Sequence, residues 1–403
     1  MQKRTYTKII EDHFKENRQM LFLTGPRQVG KTTVSKELQK KFSNSIYLNW
    51  DDQDHKELIL KGPSAIAEEA GLNRLGKKKT LFIFDEIHKY SHWKNFLKGF
   101  FDTYENKTSI LVTGSSRLDV YRKGGDSLMG RYFILRMHPL SIAEIAGQNV
   151  NEDPTNQAKK IPQTKLQNLM DFGGFPEPYT KNKRTFYRRW SALKHSLLFK
   201  EDLRESTMIQ DLGEIELLAE LLRHQIGQQG NYSNLAKKIR KSVDTVRRWF
   251  EILQSFYYCY EIRPWAKNVT RSLLKEPKFY LWDWSLVEDE GARVENFIAS
   301  HLLKAVHMWN DLGFGAYGLH YLRDKEKREV DFIITKNQKP WFLIEAKKSA
   351  NKPISKGLVY FHKMLDTPHA FQVALDLPFV PDNCFEEKGP IKVPASTILS
   401  QLV

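Results

Sequence analysis

An α/β chain in three parts is predicted: a parallel-sheet core first, a helical middle, and a second α/β unit at the C-terminal end. Three observations predict it. The apolar run Met20-Leu21-Phe22-Leu23 opens directly into "TGPRQVGKTT" (24–33) and then the helical stretch "TTVSKELQKKF". A second apolar run, Leu81 to Phe84, ends in Asp85-Glu86. Near the other end, "ARVENFIASHLLKAV" (292–306) has helical periodicity and is followed by a strand, a turn and a strand in "REVDFIITKNQKPWFLIEAKKS" (328–349). At 403 residues the chain exceeds the usual single-domain size. The expected domains are 1–150, 165–285 and 286–403.

The first loop meets the pattern G-x-x-x-x-G-K-[ST] through Gly25, Gly30, Lys31 and Thr32, with Pro26, Arg27, Gln28 and Val29 between and Thr33 after. Entered from a strand and left by a helix, it has the context that the motif needs. Glycines let the backbone turn tightly, so that its N–H groups and the helix N-terminus converge on an anion. Lys31 would reach the β- and γ-phosphates of ATP, and the Thr32 hydroxyl would ligand Mg²⁺.

The acidic pair supplies the other half of the chemistry. Asp85 stands where a buried strand ends and would hold Mg²⁺ through its water shell, while Glu86 would orient and polarise the attacking water. Strands are expected in "SIYLNWDD" (45–52), in "SILVTGSSR" (109–117) and around Tyr132 to Leu135. A strand inserted between the loop strand and the acidic strand, with a glutamate beside the metal aspartate, is the arrangement of ATP-hydrolysing P-loop proteins. Thr113, Ser115 and Ser116 are candidate γ-phosphate sensors, the serines being equally good turn residues. Arg131 is a candidate arginine finger or phosphate sensor.

Composition bounds the partners. With 41% hydrophobic and 28% charged residues the chain reads as globular, and no apolar run approaches the roughly 20 residues that span a bilayer. The first twenty residues are basic without the apolar core of a signal peptide, so a cytoplasmic location is expected. Two cysteines, Cys259 and Cys384, are too few for a zinc site or a disulfide framework. The net charge of +15 favours a polyanion, and nucleic acid is the expected partner.

In order along the chain, "TGPRQVGKTT", "FIFDEIHK", "TGSSRLDVYRKGGDSLMGRYFILRMHPLSIAEI" and "FGGFPEPY" (172–179) resemble the prokaryotic AAA-type ATPases that carry a C-terminal domain of unknown function. The resemblance spans nearly the whole chain. It implies a P-loop ATPase core followed by a winged-helix-like and a restriction-endonuclease-like segment. A homo-oligomer is expected. Serines and a threonine stand at the end of the fourth strand where many AAA proteins have asparagine.

Between the two α/β parts, "GQNVNEDPTNQAKKIPQTK" (147–165) has no apolar period and reads as a linker. A basic amphipathic helix is expected from "RTFYRRWSALKHSLLFKEDLRE", with Phe186, Tyr187 and Trp190 as packing residues. In "NYSNLAKKIRKSVDTVRRWFEILQSFYYCYEI" (231–262), a helix from about Ser233 to Ile239, an N-cap at Ser242 and apolar positions Val243, Val246, Phe250 and Leu253 predict helix-turn-helix. The second helix would expose Thr245, Arg247 and Arg248. The basic loop between "FYYCYEI" and "KFYLWD" would be a wing, and Arg247, Arg248, Lys267 and Arg271 would contact DNA phosphates.

Asp331, Glu345 and Lys347 fall at D-x₁₃-E-x-K. On adjacent strands this spacing brings two carboxylates together with a lysine on the same face. Asp331 and Glu345 would share Mg²⁺, Lys347 would stabilise the metal-bound nucleophile, and Glu295 would complete the set from the helix. The order resembles the PD-(D/E)XK nuclease pattern, with a non-cleaving remnant of that fold as the alternative. The functional expectation is an ATP-hydrolysing, DNA-acting protein. Two rivals stand beside it: a nucleotide-dependent switch that binds a protein partner, and a nuclease whose ATPase regulates access.

Overall fold

The structure is a computed structural model that describes residues 3–73, 79–114, 128–206, 211–266 and 276–403. These form two compact units, Lys3–His138 and Pro139–Val403. The first is a five-stranded sheet, all parallel, of β1 (Met20–Thr24), β2 (Ser45–Asn49), β3 (Thr80–Asp85), β4 (Thr108–Thr113) and β5 (Tyr132–Arg136), in the order β2-β3-β4-β1-β5. β1, β3 and β4 are buried along their whole lengths, which is why they read as unbroken apolar runs. In space the strand between the loop strand and the acidic strand is β4. The helix Trp93–Tyr104 presents Phe96, Leu97, Phe100 and Phe101 to the same core as Phe22, Phe82 and Phe84. Each such aromatic contributes about 1.5–3 kcal/mol by leaving water.

The second unit carries a helical part and a mixed sheet. Helices Tyr232–Ile239 and Val243–Ser255 follow each other across a short turn, and Ser242 caps the second by accepting from Thr245 N at 3.1 Å. Val246, Phe250 and Leu253 are buried as the apolar steps predict, together with Trp249. Thr245 is half-buried and its hydroxyl lies 2.8 Å from Ser242 Oγ, so of the three residues expected at the surface only Arg247 and Arg248 are exposed, beside the acidic Asp244 and Glu251. The antiparallel pair β6 (Cys259–Ile262) and β7 (Lys278–Leu281) comes next. Lys267 and Arg271 of the expected wing lie outside the described residues, as do Ser115 and Ser116.

The C-terminal sheet comprises β8 (Tyr317–Arg323), β9 (Glu329–Lys336), β10 (Lys339–Lys347), β11 (His369–Ala374) and β12 (Gly389–Pro394), in the order β12-β11-β10-β9-β8. β8, β9 and β10 run antiparallel, and β11 and β12 extend the sheet in parallel. The long helix Glu290–Asp311 packs on β8 and β10.

The stretch read as a linker is largely exposed but is tied at several points to the chain's last turn. Asn156 N donates to Gln401 O at 2.8 Å, Gln401 Nε2 returns a bond to Asn156 O at 2.9 Å, and Gln148 Nε2 donates to Ser400 O at 2.8 Å. Its amide side chains, read as signs of solvent, satisfy the backbone carbonyls at the chain's last turn. Just upstream, the buried carboxylate of Glu144 accepts from Lys304 Nζ at 2.6 Å and Ile142 N donates to His301 Nε2 at 3.1 Å. Accepting at Nε2 fixes the ring as the neutral tautomer that donates from Nδ1 to Phe297 O, and burial pushes its pKa down to about 3.

Candidate functional site

β1 delivers the loop 25–30, and two glycines at left-handed φ shape it. Gly25 has φ 148°, and a Cβ there would lie 2.3 Å from Met137 O. Gly30, φ 105°, is the N-cap of the helix Lys31–Gln39. Pro26 and Val29 are buried, Arg27 and Thr33 half-buried, and Gln28 is exposed at φ 62°. Lys31, only 7% exposed, folds back over the loop and donates to Gly25 O and Pro26 O, both at 2.8 Å. Its ammonium therefore stands at the loop's mouth beside the helix N-terminus, where a phosphate would meet both.

β3 delivers the carboxylates. Asp85 is buried and accepts from Thr32 Oγ1 at 3.1 Å, from the Tyr47 hydroxyl and from Thr113 Oγ1. The Thr32–Asp85 contact places in one spot the hydroxyl and the carboxylate that a hard divalent cation requires, so the donor set fits Mg²⁺. Glu86 sits at φ 55°, a left-handed conformation costing about 1–3 kcal/mol for a residue with a Cβ. Its backbone N–H is held by Thr113 O at 3.0 Å, while its buried Oε2 accepts no hydrogen bond. His88 Nε2 is 3.5 Å from that oxygen. Burial raises the Glu86 pKa, opposed by the charge of Lys31 and assisted by that of Asp85.

Two sequence assignments change. Thr113 is fully buried and its hydroxyl is committed to Asp85, so it supports the carboxylate and does not sense phosphate. Arg131 lies at the wrong end of the sheet. β5 pairs with β1 from Tyr132 opposite Met20 to Arg136 opposite Thr24, so Arg131 precedes the end remote from the loop. There its guanidinium grips Asp102 in two bonds of 2.6 and 2.9 Å. A phosphate sensor within its own chain is thereby ruled out, and the arginine of β5 beside the loop strand's exit is Arg136.

One residue escaped sequence reading altogether. Arg4 is 3% exposed and donates to Val29 O in the loop and to His138 O, the latter at 2.6 Å. The fully buried Tyr6 accepts from His138 N at 2.9 Å. The basic start of the chain thus pins the phosphate loop to the strand end that follows β5. Arg4→Ala leaves two buried carbonyls without their donor, at about 1–3 kcal/mol each. It is expected to lower the melting temperature and raise KM for ATP about tenfold, with Arg4→Lys recovering little because an ammonium lacks the fork that spans both carbonyls. Unchanged melting and nucleotide titration would show that the contact does not set the loop.

In the C-terminal sheet, one step beyond the Ile344–Phe332 pair, Glu345 lies across from Asp331, and Ala346 N donates to Asp331 Oδ2 at 2.9 Å. Lys347 Nζ donates to Glu345 Oε1 at 2.7 Å, and Glu345 Oε2 is buried without a hydrogen bond. Glu295 approaches from the long helix and accepts from the Tyr280 hydroxyl at 2.7 Å. Burial, then the charge of Asp331, push Glu295 and Glu345 up to about 7 each. The four residues named from sequence therefore do meet. Unforeseen was Lys278 of β7, 1% exposed, whose Nζ lies 2.6 Å from Glu329, 3.2 Å from Glu295 and 3.4 Å from Asp331. Among the described residues no group of three or more His, Cys, Asp or Glu has the arrangement of a metal site. The expected ion between Asp331 and Glu345 does not fit, because each already faces an ammonium: Lys278 Nζ lies 3.4 Å from Asp331 and Lys347 Nζ holds Glu345 at 2.7 Å.

Residues 17–146 match the family described as an AAA domain. Residues 163–289 match a domain of unknown function, DUF8612, and residues 290–376 another, DUF4143. An uncharacterized protein of Mycobacterium tuberculosis is 21% identical over 354 residues, covering 84% of this chain and 72% of that one. One of Haemophilus influenzae is 22% identical over 353 residues, covering 80% and 81%. Among solved structures, the Walker-type ATPase of Pyrococcus abyssi aligns over 71% of this chain and 94% of its own, with 14% identity and a TM-score of 0.42. The Aeropyrum pernix ORC1 protein in complex with DNA aligns over 73% and 91%, with 14% identity and a TM-score of 0.31. Among the described residues no helix is long and apolar enough to cross a membrane. Taken with the loop, the acidic pair and the strand order, the match over residues 17–146 establishes that the chain carries an AAA-type P-loop ATPase domain at its N-terminus.

Proposed function

We propose that this protein hydrolyses ATP and binds DNA, using the nucleotide cycle to remodel the DNA or move along it. The observation that carries the reading is the convergence of Lys31, Thr32, Asp85 and Glu86 at the exits of β1 and β3, with Asp85 fixed from three sides. Lys31 and the loop N–H groups hold the β- and γ-phosphates. Thr32 and Asp85 are the residues that would hold Mg²⁺, which when bound offsets phosphate charge. Glu86 takes the proton of the attacking water; burial raises its pKa by disfavouring the charged form, so the fraction able to accept a proton grows as pH rises.

DNA is assigned to the helical part of the second unit, read as a winged helix. Support comes from the net charge of +15 and from Arg247 and Arg248, exposed on the helix that Ser242 caps. Phosphate contacts release counterions, so log K is expected to fall by about 0.9 per neutralised phosphate as log salt rises on duplex DNA. Arg247→Ala with Arg248→Ala should weaken binding alike on different sequences and flatten that slope by about 2. Fluorescence anisotropy of labelled duplex across a salt series is the check; undiminished binding by the double variant would remove this helix from the interface.

The C-terminal sheet is read as a nuclease-like scaffold. The second reading, a nucleotide-dependent switch that docks a protein partner, is favoured by one observation: the carboxylates of that sheet are already met by Lys278 and Lys347. Incubating supercoiled and branched DNA with the protein and Mg²⁺ or Mn²⁺ tests the scaffold reading, which expects every substrate to stay intact. Cleavage that Asp331→Ala abolishes would overturn it.

A further inference from the structure

We infer that Lys278 is the resident cation of the C-terminal carboxylate cluster, taking the place of a divalent ion and tying the β6–β7 pair to the C-terminal sheet. An ammonium has three N–H donors and no acceptor. Lys278 Nζ has three carboxylates around it, Glu329 at 2.6 Å, Glu295 at 3.2 Å and Asp331 at 3.4 Å, so its donor capacity is matched. Two further cations offset most of the remaining charge. Arg323 Nη1 donates to the other oxygen of Glu329 at 2.6 Å and Lys347 holds Glu345 at 2.7 Å, so four carboxylates face three cations.

The lysine is delivered by a backbone fixed on both sides. Lys278 pairs with Ile262 across the β6–β7 ladder and bridges to Gln229 on its other flank, and Gly230 N donates to Pro277 O at 2.6 Å. Withdrawing the ammonium would require these strands to move, since its side chain is buried to the tip. Removing one partner from a buried pair leaves an uncompensated charge. The carboxylates then need another cation, and Mg²⁺ or Mn²⁺, which prefer oxygen ligands, would supply it.

The test is Mn²⁺ binding to the nucleotide-free full chain, with free ion counted by electron paramagnetic resonance. Four proteins are compared: wild type, Asp331→Asn, Lys278→Met and Lys278→Met with Asp331→Asn, each checked by circular dichroism melting. The expected result is equal binding by wild type and Asp331→Asn, one additional ion in Lys278→Met, and loss of that ion in the double variant. Methionine keeps the length and apolar stem of the side chain. An ion in the wild type that Asp331→Asn removes would overturn the inference, as would a folded Lys278→Met that gains none. Should Lys278→Met not fold, the wild type against Asp331→Asn still decides, equal binding supporting and a lost ion refuting. ATP turnover does not enter the comparison, so its outcome is separate from the ATPase reading.

Discussion

Glu86→Gln is expected to bind ATP as the wild type does and to turn it over about 10²–10⁴-fold more slowly, the usual worth of a positioned proton acceptor. The amide has the shape of the carboxyl but cannot accept the proton of water. Folding should be undisturbed, because burial already disfavours the charged form of Glu86, and glutamine removes a charge that the site pays to keep. The left-handed backbone at this residue is held by Thr113 O through Glu86 N and does not depend on the side chain. Phosphate release in a single turnover, measured beside binding of a fluorescent nucleotide, separates the two steps. Wild-type turnover by Glu86→Gln would place the proton acceptor elsewhere.

Lys31→Ala is expected to weaken ATP binding by roughly 10- to 100-fold, from a hydrogen bond to a charged group of about 1.5–3 kcal/mol and 1.4 kcal/mol per decade. Two losses combine. The phosphates lose their cation, and the carbonyls of Gly25 and Pro26, to which Lys31 Nζ now donates, lose the donor that helps to shape the loop. Lys31→Met restores the apolar stem but not the charge, so it should bind as weakly as the alanine variant if the ammonium is what matters. Nucleotide titration by fluorescence is the measurement, and unchanged affinity in both variants would remove the loop from the nucleotide site.

The parts of this molecule that could be read from sequence are those encoded locally. A glycine at φ 105° followed by Lys31 and Thr32 is a short-range pattern, and β3 announces itself by being buried along its length before Asp85. Spacing alone also brought Asp331 and Glu345 onto facing positions, because a short turn between antiparallel strands sets the register. What failed depended on long-range pairing. Arg131 precedes a strand, and only the register of β5 on β1 reveals that its end of that strand is remote from the loop, which removes the sensor role within its own chain and leaves the finger role in trans untouched. Arg4 meets residues 25 and 134 positions away, and nothing in its neighbourhood marks it. Lys278 looked like one lysine among 63 basic residues, and its meaning lies in the three carboxylates that converge on it. The polarity of 147–165 predicts exposure, which most of the segment has, but not the pairing of its amides with the carbonyls of the last turn.

An ATP-driven, DNA-acting mechanism is tested most directly by the rate of ATP hydrolysis by the full chain at low salt, with and without duplex, branched and single-stranded DNA. It predicts turnover that rises when DNA is added, that rise being lost in the Arg247→Ala, Arg248→Ala double variant and all turnover being lost in Glu86→Gln. Steady hydrolysis that none of the three DNAs changes would contradict it and leave the nucleotide-dependent partner switch as the reading to pursue.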